Sequence, residues 1–362
     1  MPIIVTLDYE VFGNGAGDVM RDVIQPTDRL LRICERHGTR MTIMLEVGEY
    51  WAFERYDEQL RKALGYSPHE QMERQAIDAV RRGHDVQLHL HPQWIDAEYA
   101  MGTWRLHNAF WRLADMPGGL GHTSDPTSIT GALLRGKQTL ENMMKPVKSD
   151  YECVCFRAGG FYAQPSGPII RAMKEVGLRA DSSVVKGYKA DSPFRVDYSH
   201  VQTGRHAWWT TETELTEEGR PGEHILEVCV SSRMEPYWKN FKLTKLRATM
   251  KRGRIENASS GRRDVDRSLR SVPRCGTVLR RVLKKHASTF DFCKLSATDM
   301  VKRVREHAGA AEQPVVLIGH SKDFFNDLAL DRFLDRVKQG DHVVFQTLSE
   351  FVDKAIGSQR GR

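Results

Sequence analysis

Short apolar runs alternate with helical patterns along most of the chain. The runs at 3–7 (IIVTL), 40–45 (RMTIML), 85–90 (DVQLHL), 153–157 (CVCFR), 178–184 (LRADSSV), 225–230 (ILEVCV), 315–319 (VVLIG) and 342–346 (HVVFQ) have the length and composition of strands. Those at 3–7 and 315–319 are almost wholly apolar, as strands covered on both faces are. Between the runs, one helical scheme recurs. QPTDRLLRICERHG has Pro26 near its start, Leu30, Leu31 and Cys34 on one face, and Gly38 as a stop. SPHEQMERQAIDAVRRG places Met72, Ala76, Ala79 and Val80 at helical spacing before Gly83, and SGPIIRAMKEVG ends at Gly177. Each stop glycine leads into the next strand. Repeated βα units with seven or eight strands predict a parallel sheet, either open and doubly wound or closed as a (β/α) barrel, with the barrel the favoured form. Chemistry in such folds sits at the carboxyl ends of the strands.

Two regions interrupt the rhythm. Residues 94–127 are rich in aromatics and glycine and read as a long loop after the strand at 85–90; Trp94, Trp104, Phe110 and Trp111 there could wall a sugar site or simply pack the loop. Residues 231–290 read as a basic, polar, mobile insertion within a single domain spanning 1–362. Charge sharpens that division. The net charge is +7, but 239–286 holds 16 Lys and Arg against Glu256, Asp264 and Asp266, a balance of +13, so the rest of the chain is near −6. A solvated insertion is the default reading. An anionic membrane surface or a phosphate-linked glycan is the favoured functional one, and nucleic acid is disfavoured for want of a binding motif.

No apolar run is long enough to span a bilayer, and MPIIVTLDYE has no leader pattern, so a cytoplasmic protein, peripheral to a membrane at most, is expected. Cys34, Cys153, Cys155, Cys229, Cys275 and Cys293 form no CxxC pair and are expected as thiols.

The polar residues that close the strands carry the chemical signal. In TLDYE, alternation puts Asp8 and Glu10 on one side and Tyr9 on the other. Adjacent carboxylates repel unless a cation or a shared proton lies between them. In GHDVQLHLHPQW, the same alternation pairs His89 with His91, a good ligand set for Zn, Fe, Co or Ni, while His84 opens the strand and reads as structural. CFRAGGFY ends a strand with Arg157 followed by Gly159 and Gly160, where a backbone can turn sharply or approach a substrate. Arg157 could clamp a carboxylate or form a surface ion pair. RADSSV offers Asp181, and VLIGHSKDF places His320 just past an apolar strand, a position suited to acid/base work.

In this order the set D-x-E, H-x-H-P, F-R-x-G, D-S and L-x-G-H resembles the polysaccharide deacetylase family, carbohydrate esterase family four, over about residues 3–355; FQTLSEFVD resembles its closing strand and helix. The resemblance implies a distorted barrel of seven or eight strands that uses a divalent metal, zinc first and Co, Mn, Ni or Fe as alternatives, to remove N- or O-acetyl groups from sugars. It implies Asp8 as general base, Glu10 and His89 as metal ligands, Arg157 orienting Asp8, and Asp181 orienting His320, the general acid. Most members carry adjacent aspartates where this chain has D-x-E, as a branch of the family does. Their second metal histidine usually falls four residues after the first, where this chain has Gln93; His91 takes its place by strand alternation. Tyr162 is displaced from the family's arginine motif and receives no role.

The expected function is a metal-dependent amidohydrolase acting on C–N bonds other than peptide bonds, with an acetylated sugar, glycan or glycoconjugate as substrate. Two rivals stand beside it: hydrolysis of non-sugar amides or cyclic imides on the same fold, and a non-catalytic glycan-binding barrel.

Overall fold

The computed structural model describes all residues except 108–109, 192–194, 202, 237–284, 308–312, 341–342 and 361–362. Nine strands form the main sheet: β1 (Pro2–Tyr9), β2 (Thr42–Glu46), β3 (Asp85–Leu90), β4 (Cys155–Ala158), β5 (Ala180–Asp181), β6 (Ala207–Trp209), β7 (Leu226–Val228), β8 (Val315–His320) and β9 (Val344–Phe345). Their order is β6-β7-β5-β4-β3-β2-β1-β8, with β9 also beside β1. Every pair is parallel except β6–β7. Ser231, just past β7, donates its N–H to Val316 O at 3.1 Å, and Val316 N–H donates to Ser231 Oγ at 3.0 Å. Ile318 N–H donates to Phe290 O at 3.0 Å and Phe292 N–H to Ile318 O at 2.9 Å. These few bonds, in place of a full ladder, join the sheet's two ends, and the result is a distorted (β/α) barrel.

The three helices legible in the sequence form as Gln25–Arg36, Pro68–Arg81 and Ser166–Val176. Gly38, Gly83 and Gly177 follow them with positive φ, a backbone that L side chains resist. Helices Val47–Arg55, Asp57–Leu64 and Ile129–Met144 are additional. The last packs closely on β3: a Cβ at Gly136 would lie 2.6 Å from Leu88 Cδ1. Expected residues 94–127 are less irregular than a loop. They include the hairpin Glu98–Ala100 with Thr103–Arg105 and a short helical turn at Leu113–Asp115. Trp94 is buried edge-on against Phe53 and Trp104, so its ring packs the segment and presents no wall.

Alternation grades the barrel interior. Ile4, Thr6, Asp8 and Glu10 share one face of β1 and its extension. Ile4 packs with Met44, Cys155, Val316 and with Leu348, Phe351 and Val352 of the closing helix Leu348–Arg360, an apolar plug at the amino ends of the strands. Thr6 lies one step further in, and the two acids reach the carboxyl end. Asp8 pairs in register with His320, Glu46 with His89, and His89 with Arg157, so the sheet itself gathers polar residues from β1, β2, β3, β4 and β8 at one mouth.

The ends of the basic insertion are ordered. Ser232–Pro236 pairs antiparallel with Lys285–Thr289, with Pro236 opposite Lys285. Residues 237–284, and with them most of the expected mobile segment, lie outside the described residues. The described cysteines are buried and free. Among the described residues no helix is long and apolar enough to cross a membrane.

Candidate functional site

At the carboxyl mouth, Glu10 Oε2 lies 2.7 Å from His91 Nε2 and 3.4 Å from His89 Nε2. The two imidazoles stand perpendicular, 4.9 Å between centroids. His89 Nδ1 sits 2.8 Å from Arg157 O; a carbonyl can only accept, so Nδ1 donates, and Nε2 is the nitrogen that presents a lone pair inward whenever the ring is neutral. That Nε2 is buried and has no hydrogen-bond partner among the described residues. Glu46 completes a set with Glu10, His89 and His91 in which one ligand atom from each lies within 4.8 Å of the others. An orphaned imidazole nitrogen beside a carboxylate, in a compact N/O donor set, fits a divalent ion with bonds of about 2.0–2.2 Å.

Room for His91 is supplied by Gly159. A Cβ at that position would meet the His91 ring at 2.4–2.6 Å. The glycine predicted for a close backbone approach is therefore approached by a side chain of this same chain.

Arg157, fully buried, donates through Nη1 to Asp8 Oδ1 at 2.5 Å, through Nη2 to Thr6 Oγ at 3.0 Å and Ser182 Oγ at 3.1 Å, and through Nε to Ser182 O at 2.9 Å. It is neither a surface ion pair nor a free clamp; the carboxylate it holds is Asp8. On the other side of Asp8, Oδ2 lies 3.6 Å from His320 Nε2. Burial alone would raise the Asp8 pKa, but Arg157, with His89 and His320, holds it below the usual carboxylate value. Glu10 feels the same burial, yet Lys322 and His91 hold it well below. Burial would lower His89, but Asp8 and Glu10 outweigh it and bring that ring to about 9. For His320 burial wins over Asp8 and Glu10, and its pKa falls below the ordinary 6.5.

Asp181 requires a correction. Its register partner is Phe156, which faces the helices, whereas Arg157 faces the interior. Its oxygens accept from Ser183 N–H at 2.8 Å and Ser183 Oγ–H at 2.9 Å, and the nearby acid is Glu227, whose pKa burial and Asp181 raise well above normal. His320 Nδ1, which an orienting carboxylate would have to reach, has no hydrogen-bond partner among the described residues. The neighbouring Ser182, on the inward side, is the residue of D-S that meets Arg157. His84 matches its structural reading: Nδ1 accepts from Met41 N–H at 3.2 Å and Nε2 faces Glu35 at 3.2 Å.

Sequence reasoning missed Glu46, Glu49 and Lys322. Glu46 caps the helix after β2: its Oε1 accepts from Gly48 N–H at 2.8 Å, and its Oε2 accepts from His91 N–H at 2.7 Å, which fixes the backbone of His91. It lies one residue past the quoted run RMTIML, so the strand-end rule applied to Asp8 would have found it. Glu49 accepts from Val11 N–H at 2.9 Å, and burial pushes its pKa well up. Lys322 donates to Glu10 Oε1 and to Val11 O, each at 2.7 Å, nearly buried over the Phe12 ring. It occupies one oxygen of Glu10 and leaves the other for the histidines. Its signal was the lysine two residues past His320 in GHSK.

No family model and no curated protein matches the chain. Solved structures do. A provisionally assigned polysaccharide deacetylase from Mycobacterium smegmatis is 13% identical with a TM-score of 0.45, over 99% of this chain and 91% of that one. A probable polysaccharide deacetylase from Pseudomonas aeruginosa PAO1 is 13% identical with a TM-score of 0.44, over 100% and 92%. Puue allantoinase is 11% identical with a TM-score of 0.42, over 100% and 91%.

Proposed function

We propose that this chain is a metal-dependent hydrolase that removes an N-acetyl group, or an O-acetyl group, from a sugar or glycoconjugate. One observation carries the reading: Glu10, His89 and His91 converge on one point while Asp8, on the same face of the same strand, stands between Arg157 and His320. Glu10, His89 and His91 would hold the ion, zinc first among candidates, with Glu46 in reach. When bound, the ion would polarise the acetyl carbonyl and acidify water.

The rest falls to the chain's own groups. Arg157 takes Asp8 Oδ1, keeping the carboxylate charged and leaving Oδ2 to accept a proton from water. Oδ2 faces His320 Nε2 at 3.6 Å, so that proton has a short path to the imidazole, which delivers it to the departing nitrogen. Water's oxygen ends on the acetyl carbon as acetate, and the nitrogen leaves as the amine. The low pKa of His320 keeps the resting ring neutral and able to accept.

Asp8→Asn tests this reading. The variant should bind zinc as the unaltered chain does and lose hydrolysis of N-acetylglucosamine derivatives by at least about 100-fold. Undiminished turnover in Asp8→Asn contradicts the proposal. Preference for small cyclic amides over acetylated sugars in the same assay would move the substrate class and keep the chemistry.

A further inference from the structure

Gln93 stands four residues after His89, where the family resembled in the sequence usually places its second metal histidine. The amide is fully buried behind His91, with Nε2 3.1 Å from His91 Nδ1; its Oε1 has no hydrogen-bond partner among the described residues. On the opposite edge of the same ring, Nε2 lies 2.7 Å from Glu10 Oε2.

A neutral imidazole carries one N–H, so what happens at one nitrogen dictates the other. With the amide nitrogen of Gln93 donating to Nδ1, the proton must sit on Nε2, where it serves as donor to Glu10. A ring in that state offers no lone pair to an ion. Rotation of the amide by half a turn about its last bond puts Oε1 against Nδ1. Nδ1 then carries the proton and Nε2 presents its lone pair to the point shared by Glu10 and His89. His89 has no such choice, because its Nδ1 faces the carbonyl of Arg157. A side chain that both donates and accepts at one place can serve either tautomer, and glutamine is such a side chain. A leucine or a lysine at 93 could not.

We propose that Gln93 is a positioning residue that sets the tautomer of His91, turning its amide from donor to acceptor as a divalent ion enters. Water at the mouth takes the Nε2 proton and water supplies the one that settles on Nδ1, so the ring's charge does not change. The inference rests on His91 being a metal ligand, as proposed above. Outer-shell partners of ligating histidines typically govern metal affinity by about 10–100-fold.

The test uses the full chain stripped of metal by chelator, labelled with nitrogen-15 in histidine and titrated with zinc against a competing chelator. In the unaltered chain, the His91 nitrogen shifts should report Nε2–H without zinc and Nδ1–H with it. Gln93→Met, of similar length but unable to hydrogen-bond, should weaken zinc binding by about 10–100-fold. Gln93→Glu, which keeps an acceptor, should show the Nδ1–H tautomer even without zinc and bind no more weakly than the unaltered chain. The same His91 tautomer with and without zinc, or unweakened binding by Gln93→Met, overturns the inference. The tautomer measurement on the unaltered chain decides if a variant does not fold. His91→Ala separates the two claims: if it binds zinc normally, the metal reading fails at His91, whereas loss of zinc in His91→Ala with normal binding in Gln93→Met sinks only the role of Gln93.

Discussion

His320 illustrates how environment overrides residue type. The resemblance implies His320 as the general acid, but burial lowers its pKa, and the resting ring is neutral. A neutral ring can take the proton gathered at Asp8 Oδ2; a protonated ring cannot. The sign follows: turnover should be flat through neutrality and fall as pH drops through a value below 6.5, the ordinary histidine pKa. A pH–kcat profile that instead falls as pH rises between about 6.5 and 7.5 would mean that His320 must start protonated. Lys322 could be picked out in the sequence, but what it does could not. The pairing of Lys322 with Glu10 depends on a turn after β8, and neither residue's burial can be read from the string GHSK. Alternation did suffice for Asp8 with Glu10 and for His89 with His91, since a strand has only two faces.

At the scale of elements, the strands that carry the site were legible because they are short, apolar and punctuated by glycine. β3 falls at 85–90, the run read from the sequence. The run at 178–184 was overread: only Ala180–Asp181 pairs as a strand, and Ser182, the next residue, faces inward by alternation. The role expected of Asp181, orienting His320, came from the resemblance alone, and the register of this short strand sets Asp181 beside Phe156 instead. Period and length cannot locate where a strand stops, and one residue of shift exchanges inside for outside. The turn after β4 offers a direct test of how elements make the site. Gly159 sits under His91, in backbone that a side chain could adopt, and the nearest atoms an Ala Cβ would meet are those of the ring. Gly159→Ala should displace His91, weaken zinc binding by about 10-fold or more and cost about 1–3 kcal/mol of stability from overpacking. Titration with zinc and urea denaturation measure both; unchanged values would show that the ring does not depend on that space.

On the scale of the whole molecule, the chain is a barrel with a plugged amino end, a polar carboxyl mouth and one basic excursion between paired strands. Because Pro236 and Lys285 are direct partners in an antiparallel pair, residues 237–284 can be replaced by Asn-Gly, a two-residue turn that suits such a hairpin. The shortened chain should keep its melting temperature within a few degrees and its zinc affinity. Removing the excess positive charge should abolish any salt-dependent binding to anionic liposomes shown by the full chain. Loss of folding would instead show that the excursion is part of the barrel. The central claim, that Glu10, His89 and His91 form one metal site, is tested most directly by calorimetric titration of chelator-stripped chain with zinc, alongside His91→Ala. One ion should bind per chain, and binding should weaken more than about 100-fold in the variant, beyond the cost of losing an outer-shell partner. No zinc uptake by the unaltered chain, or equal affinity in His91→Ala, would contradict it.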